Sequence, residues 1–147
     1  MLRIMDEVPG VVGMKQSGGD LKAVSDLLLL SKPDNLVLSG VDALLYPGFC
    51  IGMHGAITAL TSAVPGAIVK LLAAVQAGDH QTGREIHFKL NALWNSFNHD
   101  NLPACVKYVQ HLQGVSMFEP RAPMKRVTEA QKEGIRKAFQ PLRAHLA

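Results

Sequence analysis

The chain has 147 residues, 48% of them apolar and 18% charged, with a formal net charge of +3. That length suits one domain, and the apolar share supplies a sizeable core and excludes a disordered chain. Lys and Arg gather after Lys107 without interleaved aromatics, which describes a solvated helical face rather than a nucleic-acid surface.

Met1 to Glu7 reads as the tail of a helix closed by Pro9-Gly10, so the chain is expected to begin in the middle of a fold. Val11 to Lys15 reads as a short apolar strand that delivers a lysine at its carboxyl end. Gly18-Gly19 turns the chain. Asp20 is placed to cap a helix reaching Ser31, with Leu21, Val24, Leu27 and Leu28 on one face. Lys32 to Asn35 is a turn, and Leu36 to Ser39 is a second strand. Asp42 is expected to cap a helix over 43–52, and a third strand is expected over 56–60. Pro65 suits the first turn of a helix whose buried stripe is Ile68, Leu71, Leu72 and Val75, and Gly78 stops it.

No charge lies between Asp42 and Lys70, a stretch long enough to span a bilayer. Pro47, Gly48, Gly52, Gly55, Pro65 and Gly66 break it into short pieces, so no membrane partner is expected. After Gly78 the pattern is helical only. Ile86, Leu90, Leu93, Trp94 and Phe97 share a face, Asn101 is expected to cap the next helix, and 114–123 is a loop. Thr128 and Gln131 form a capping box, and Pro141 should kink or end the last helix. The division expected from this change is 1–78 and 79–147. Cys50 and Cys105 lie in apolar surroundings and are expected to be buried free thiols of a reducing compartment. Six histidines show no ligand spacing, so no metal is expected. The amino terminus lacks the apolar segment of a signal peptide.

Strands alternating with helices argue for a parallel sheet whose carboxyl ends point one way. Lys15, Gly40 and 58–61 fall at that common end, where such folds place their chemistry. Loss of water around a lysine there would favour the neutral amine, which can attack a carbonyl and form a Schiff base. The plainer readings are a solvent-facing strand end for Lys15, a turn glycine for Gly40 and core filler for Ile57. Gly18-Gly19 is not a phosphate loop, because GxxxxGK is absent.

Taken in order, VVGMKQSGGDL, LVLSGVDALL and GAITALTSAVP, followed by AGD at 77–79, Lys107 after Pro103 and RAPM at 121–124, resemble a known family. The resemblance is to the carboxyl-terminal half of the dihydrodipicolinate synthase / N-acetylneuraminate lyase family. It implies an α/β fold: a partial TIM (β/α)8 barrel, its last three βα units, followed by a C-terminal helical extension. It implies Lys15 as the nucleophile that condenses with pyruvate or another 2-oxo acid, with Gly40 and Ile57 lining the substrate pocket. The activity implied is that of a 4-hydroxy-tetrahydrodipicolinate synthase-like lyase or aldolase, with no cofactor. Alternatives are a sialate or 2-keto-3-deoxy sugar-acid aldolase or dehydratase, or a catalytically incomplete half-barrel acting as an assembly module. Members are typically cytoplasmic homo-oligomers; a complementary N-terminal half-barrel is the other implied partner.

The family's Gly-Thr-Thr-Gly anion turn and its Tyr-Asn-x-Pro stretch are not in this sequence, and neither Tyr46 nor Tyr108 matches the latter. Val41 stands where many members have Asp, Ser62 where many have Asn, and Gln16 where synthases often have Glu.

Overall fold

Short apolar runs set off by capped helices dictate the first part of the molecule. The structure, a computed structural model, describes residues 1–97 and 99–146. These fall into two compact units, Met1–Thr58 and Ala59–Ala147.

In the first unit, α1 (Leu2–Glu7) precedes β1 (Gly13–Gln16). The ladder begins two residues later than the apolar run, because the turn at Gly10 (φ +86°) carries the chain through Val11, whose amide is held by the Val8 carbonyl. Next comes α2 (Leu21–Leu30), capped as expected: the Asp20 carboxylate accepts from the Lys22 amide at 2.8 Å. Val24 is buried at its centre, while Leu29 and Leu30 point outward. The 32–35 turn is closed by Asn35, whose Oδ1 accepts from the Lys32 amide. It leads into β2 (Leu36–Ser39), with the bounds read from the sequence.

Asp42 is not the expected cap. It is the first residue of a 3-10 turn (Asp42–Leu44) and is buried. The α-helix starts only at Leu45, as α3 (Leu45–Cys50). Pro47 has no N–H, so the α-helical bond it would make back to residue 43 is missing and the segment divides. Cys50 is exposed rather than buried, at the outer end of this short helix.

The third strand is also shorter than expected: β3 is Gly55–Ala56, extended by one ladder bond from the Ile57 amide to the Ser39 carbonyl at 2.8 Å. Leu60 belongs to a helix instead. The sheet order is β1-β2-β3, parallel throughout, with Lys15 opposite Leu38 and Leu38 opposite Gly55. His54 closes the start of the β2–β3 pair: its amide donates to the Val37 carbonyl, and its Nδ1 accepts from the Val37 amide at 3.1 Å. The proton of the neutral ring therefore sits on Nε2.

The second unit is helical: α4 (Ala59–Ala63), α5 (Pro65–Gln76), α6 (His80–Asn95), α7 (Leu102–His111) and α8 (Glu129–Phe139). Pro65 occupies the first turn of α5, and Gly78 follows its end with φ +73°. Asp79 caps α6 by accepting from the Thr82 amide, and these bonds hold its carboxyl below the usual range. Leu60, Val64, Leu71, Leu90, Leu93, Val109, Ile135 and Leu142 form the core.

Asn101 stands at the amino end of α7 but makes no cap bond. Its side-chain amide donates instead to the Arg126 carbonyl and to Gln131 Oε1, each at 3.1 Å, and its Oδ1 accepts from Gln131 Nε2. Gln131 completes the Thr128 capping box at the same time, so one buried amide ties α7 to the start of α8. Pro141 lies just past α8, in a 3-10 helix over Gln140–His145. Among the described residues no helix is long and apolar enough to cross a membrane.

Candidate active site

Alternation along the strands sorts the sheet into two faces. Met14, Gln16, Val37, Ser39 and Ala56 share one, where Val37 and Ser39 are fully covered. Helix α2 packs against β2. Gly13, Lys15, Leu36, Leu38 and Gly55 share the other, and Gly40 and Ile57 continue it by twos beyond the strand ends. This second face is open: Lys15 is exposed, Leu36 is 42% exposed and Ile57 55%.

The three residues read from the sequence therefore share a sheet face and a sheet end. Lys15 lies opposite Leu38, two residues before Gly40. The Gly40 amide donates to the Gln16 carbonyl at 2.7 Å, fastening the end of β2 to the residue after Lys15. Ile57 is fastened to β2 through Ser39. The drying expected around Lys15 is not supplied by this chain. Among the described residues its ammonium has no hydrogen-bond or ion-pair partner, and water reaches it.

Gly40 has a packing role of its own. A Cβ there would meet Ser17 Oγ at 2.5 Å and the Gln16 carbonyl at 3.0 Å. Ser17, which the sequence reading passed over, thus forms the wall facing Gly40. The only hint was the run of small residues after the lysine. Gln16 is turned away from this rim toward the Gly18 amide, to which its Oε1 is bonded at 2.9 Å. That bond shapes the turn between lysine strand and capped helix. Ser39 Oγ accepts from the Val41 amide at 3.2 Å and orders the turn that follows Gly40.

A polar hollow of about 330 Å³ lies wholly within the second unit, lined by Tyr108, His111, Glu119, Arg126, Glu129 and Lys132. Its charges are satisfied internally: Arg126 pairs with Glu119 at 3.3 Å and Lys132 with Glu129 at 2.8 Å. The Lys132 ammonium holds the Glu129 carboxyl below its ordinary range. No residue of the lysine rim takes part.

A parallel βα sheet that carries a lysine at its carboxyl rim and is followed by helices fits part of a (β/α)8 barrel. Solved structures agree. Dihydrodipicolinate synthase from Thermotoga maritima superposes with a TM-score of 0.84 at 27% identity, over 95% of this chain and 48% of that one. N-acetylneuraminate lyase from Fusobacterium nucleatum shares the fold at a TM-score of 0.76 and 22% identity, over 93% of this chain and 46% of that one. The family model described as the dihydrodipicolinate synthetase family matches residues 2–142, and the chain belongs to that family. A 4-hydroxy-tetrahydrodipicolinate synthase from Methanopyrus kandleri is 31% identical over 140 residues, which is 95% of this chain and 47% of that protein. The chain thus spans about half the length of the curated relatives it matches.

Proposed function

We propose that this chain acts in a pyruvate-dependent Schiff-base lyase or aldolase of the 4-hydroxy-tetrahydrodipicolinate synthase kind, with Lys15 as the imine-forming amine. The observation that carries the reading is the shared face and rim of Lys15, Gly40 and Ile57 on adjacent strands. In its neutral form the Lys15 amine adds to the ketone carbon of pyruvate or another 2-oxo acid. Loss of water with uptake of one proton from solvent leaves a protonated imine, which draws electrons from the neighbouring carbon. That carbon can then lose a proton and add to an aldehyde, or the reverse cleavage can occur. Gly40 would let the substrate approach the β2 backbone, and Ile57 would give apolar surface beside the enamine. No cofactor is needed, since the lysine does the covalent work. A cytoplasmic homo-oligomer fits this reading.

Two other readings keep specific support. A sialate or 2-keto-3-deoxy sugar-acid substrate fits the same lysine, and Gln16 stands where synthases often have Glu. A catalytically incomplete half-barrel fits the water around Lys15. Borohydride reduction in the presence of pyruvate, followed by mass spectrometry of the Lys15 peptide, separates chemistry from mere fold. The adduct is expected on Lys15 and is absent from Lys15→Ala. Reduction that leaves the Lys15 peptide unmodified, in the chain alone and in any assembly it forms, overturns the proposal.

A further inference from the structure

We infer that the open groove between α6 and α8 binds a free, single-chain alkyl carboxylate. The hydrocarbon lies over Ala92, Gly134 and Ala138, and the carboxylate meets the Lys137 ammonium. The inference is independent of the chemistry at Lys15, because the groove belongs wholly to the second unit.

The walls come from helical spacing. Phe88 and Ala92 stand about one turn apart on α6. Gly134, Ala138 and Pro141 follow one another along α8 and into the 3-10 helix after it. The hollow they line is about 490 Å³, the size of a small-molecule site. The Phe88 side chain on its wall is 66% exposed.

Gly134 is a second, separate observation. It sits in the interior of an 11-residue helix, where glycine is less favourable than any residue but proline. Packing does not require it: a Cβ there meets no atom within 4 Å outside the helix's own backbone. The missing side chain keeps the floor of the groove open.

Charge selects the occupant. Among the described residues two lysines line the groove and no acid does. Lys89 is already held, its ammonium donating to Glu85 at 2.6 Å and to His145 Nε2 at 3.0 Å. Lys137 has no hydrogen-bond or ion-pair partner among the described residues, and Glu133, one turn before it, is bonded to Arg136 instead. A molecule with an apolar chain and one anionic end removes the apolar walls from water and meets the uncommitted cation.

A polypeptide is a poorer occupant. A stable protein interface takes roughly 20–30 residues a side, and the groove offers Phe88, Ala92, Ala138 and Pro141 as its apolar side chains. A two-fold dimer across it would also set Lys89 and Lys137 of both copies against each other. A bilayer needs a wider apolar face than one ring and two methyl groups.

The test adds decanoate, below its micelle concentration, to the full 147-residue chain. The NMR methyl signals of Ala92 and Ala138 are expected to shift and to saturate. From hexanoate to decanoate the affinity should rise about twofold per methylene, half the free energy of full burial, because the groove is open on one side. Decanol should bind about threefold to fivefold more weakly than decanoate, and Lys137→Gln should bring decanoate down to the level of decanol. Gly134→Leu should raise the melting temperature, since leucine favours a helix, while cutting decanoate affinity roughly tenfold by filling the groove. Weaker binding in a more stable chain distinguishes a filled site from a damaged fold. The inference is overturned by the absence of a saturable shift at Ala92 and Ala138, by decanoate binding that survives Gly134→Leu, or by decanol binding as tightly as decanoate. A dimer that Gly134→Leu disperses in sedimentation, or flotation with phosphatidylglycerol vesicles that decanoate does not compete away, gives the groove a different occupant and overturns it as well.

Discussion

The two units solve the same problem differently. In the second, apolar side chains from α4 to α8 and the terminal 3-10 helix meet one another, and Leu60, Leu71, Leu90, Leu93 and Ile135 are fully enclosed. In the first, helix α2 packs against β2 and one sheet face buries Val37 and Ser39, while the other carries Leu36 and Ile57 in water beside Lys15. The helical unit is a finished core. The sheet unit holds the candidate chemistry and keeps one face in water. The enclosed core and the candidate site therefore lie in different units, which makes the contrast open to mutation.

The largest expected effect uses one substitution in both units. Ile135→Ala opens a cavity in an enclosed site and should cost about 2–5 kcal/mol. Ile57→Ala, at 55% exposure, should change the stability of the chain alone by less than about 0.5 kcal/mol. Urea unfolding of the two variants checks this, and equal losses would break the contrast. Next in size is Asn101→Ala. It strands the Arg126 carbonyl and Gln131 Nε2 in a part-buried site and should cost about 1–3 kcal/mol. Thr128→Ala removes only the bond from the Gln131 amide and should cost about 1 kcal/mol, which the midpoint of thermal melting resolves.

The smallest effect is in pH. Burial lowers the pKa of His87 from its ordinary 6.5, so the folded chain resists a proton that the unfolded chain accepts. Stability of the helical unit should be complete above that ordinary value. It should fall as pH drops below it and through the lowered folded value. His145 is lowered too, by burial and by the Lys89 ammonium, and adds with the same sign. His87→Gln should shrink, without abolishing, the loss of melting temperature between neutral and mildly acidic buffer.

Much of this was legible in the residues themselves. Asp20, Pro65 and the Thr128–Gln131 box state where helices begin, because each satisfies or spares an orphan amide. The bounds of β2 were readable because a turn precedes it and a glycine follows it. The third strand was not, since Ala56 to Leu60 is apolar except for Thr58, and apolarity alone does not separate a strand from the first turn of a buried helix. Asp42 and Asn101 looked like caps by residue type. Asn101 instead spends its side chain on a partner 30 residues away, which no local pattern announces. The place of Lys15 on the rim was readable from strand order; its wetness was not, because that depends on what covers the other face.

Gly40 carries a consequence for any mutational map of the rim. The nearest atoms to a side chain there belong to Ser17 and Gln16, on the neighbouring strand's exit. Gly40→Ala will turn the Ser17 hydroxyl aside and press the Gln16 carbonyl and Ser17 Cα back by a few tenths of an ångström. A loss of function from that change will therefore include a shift of the β1 exit, and surveys that score it as a lost contact alone will overstate the role of the glycine.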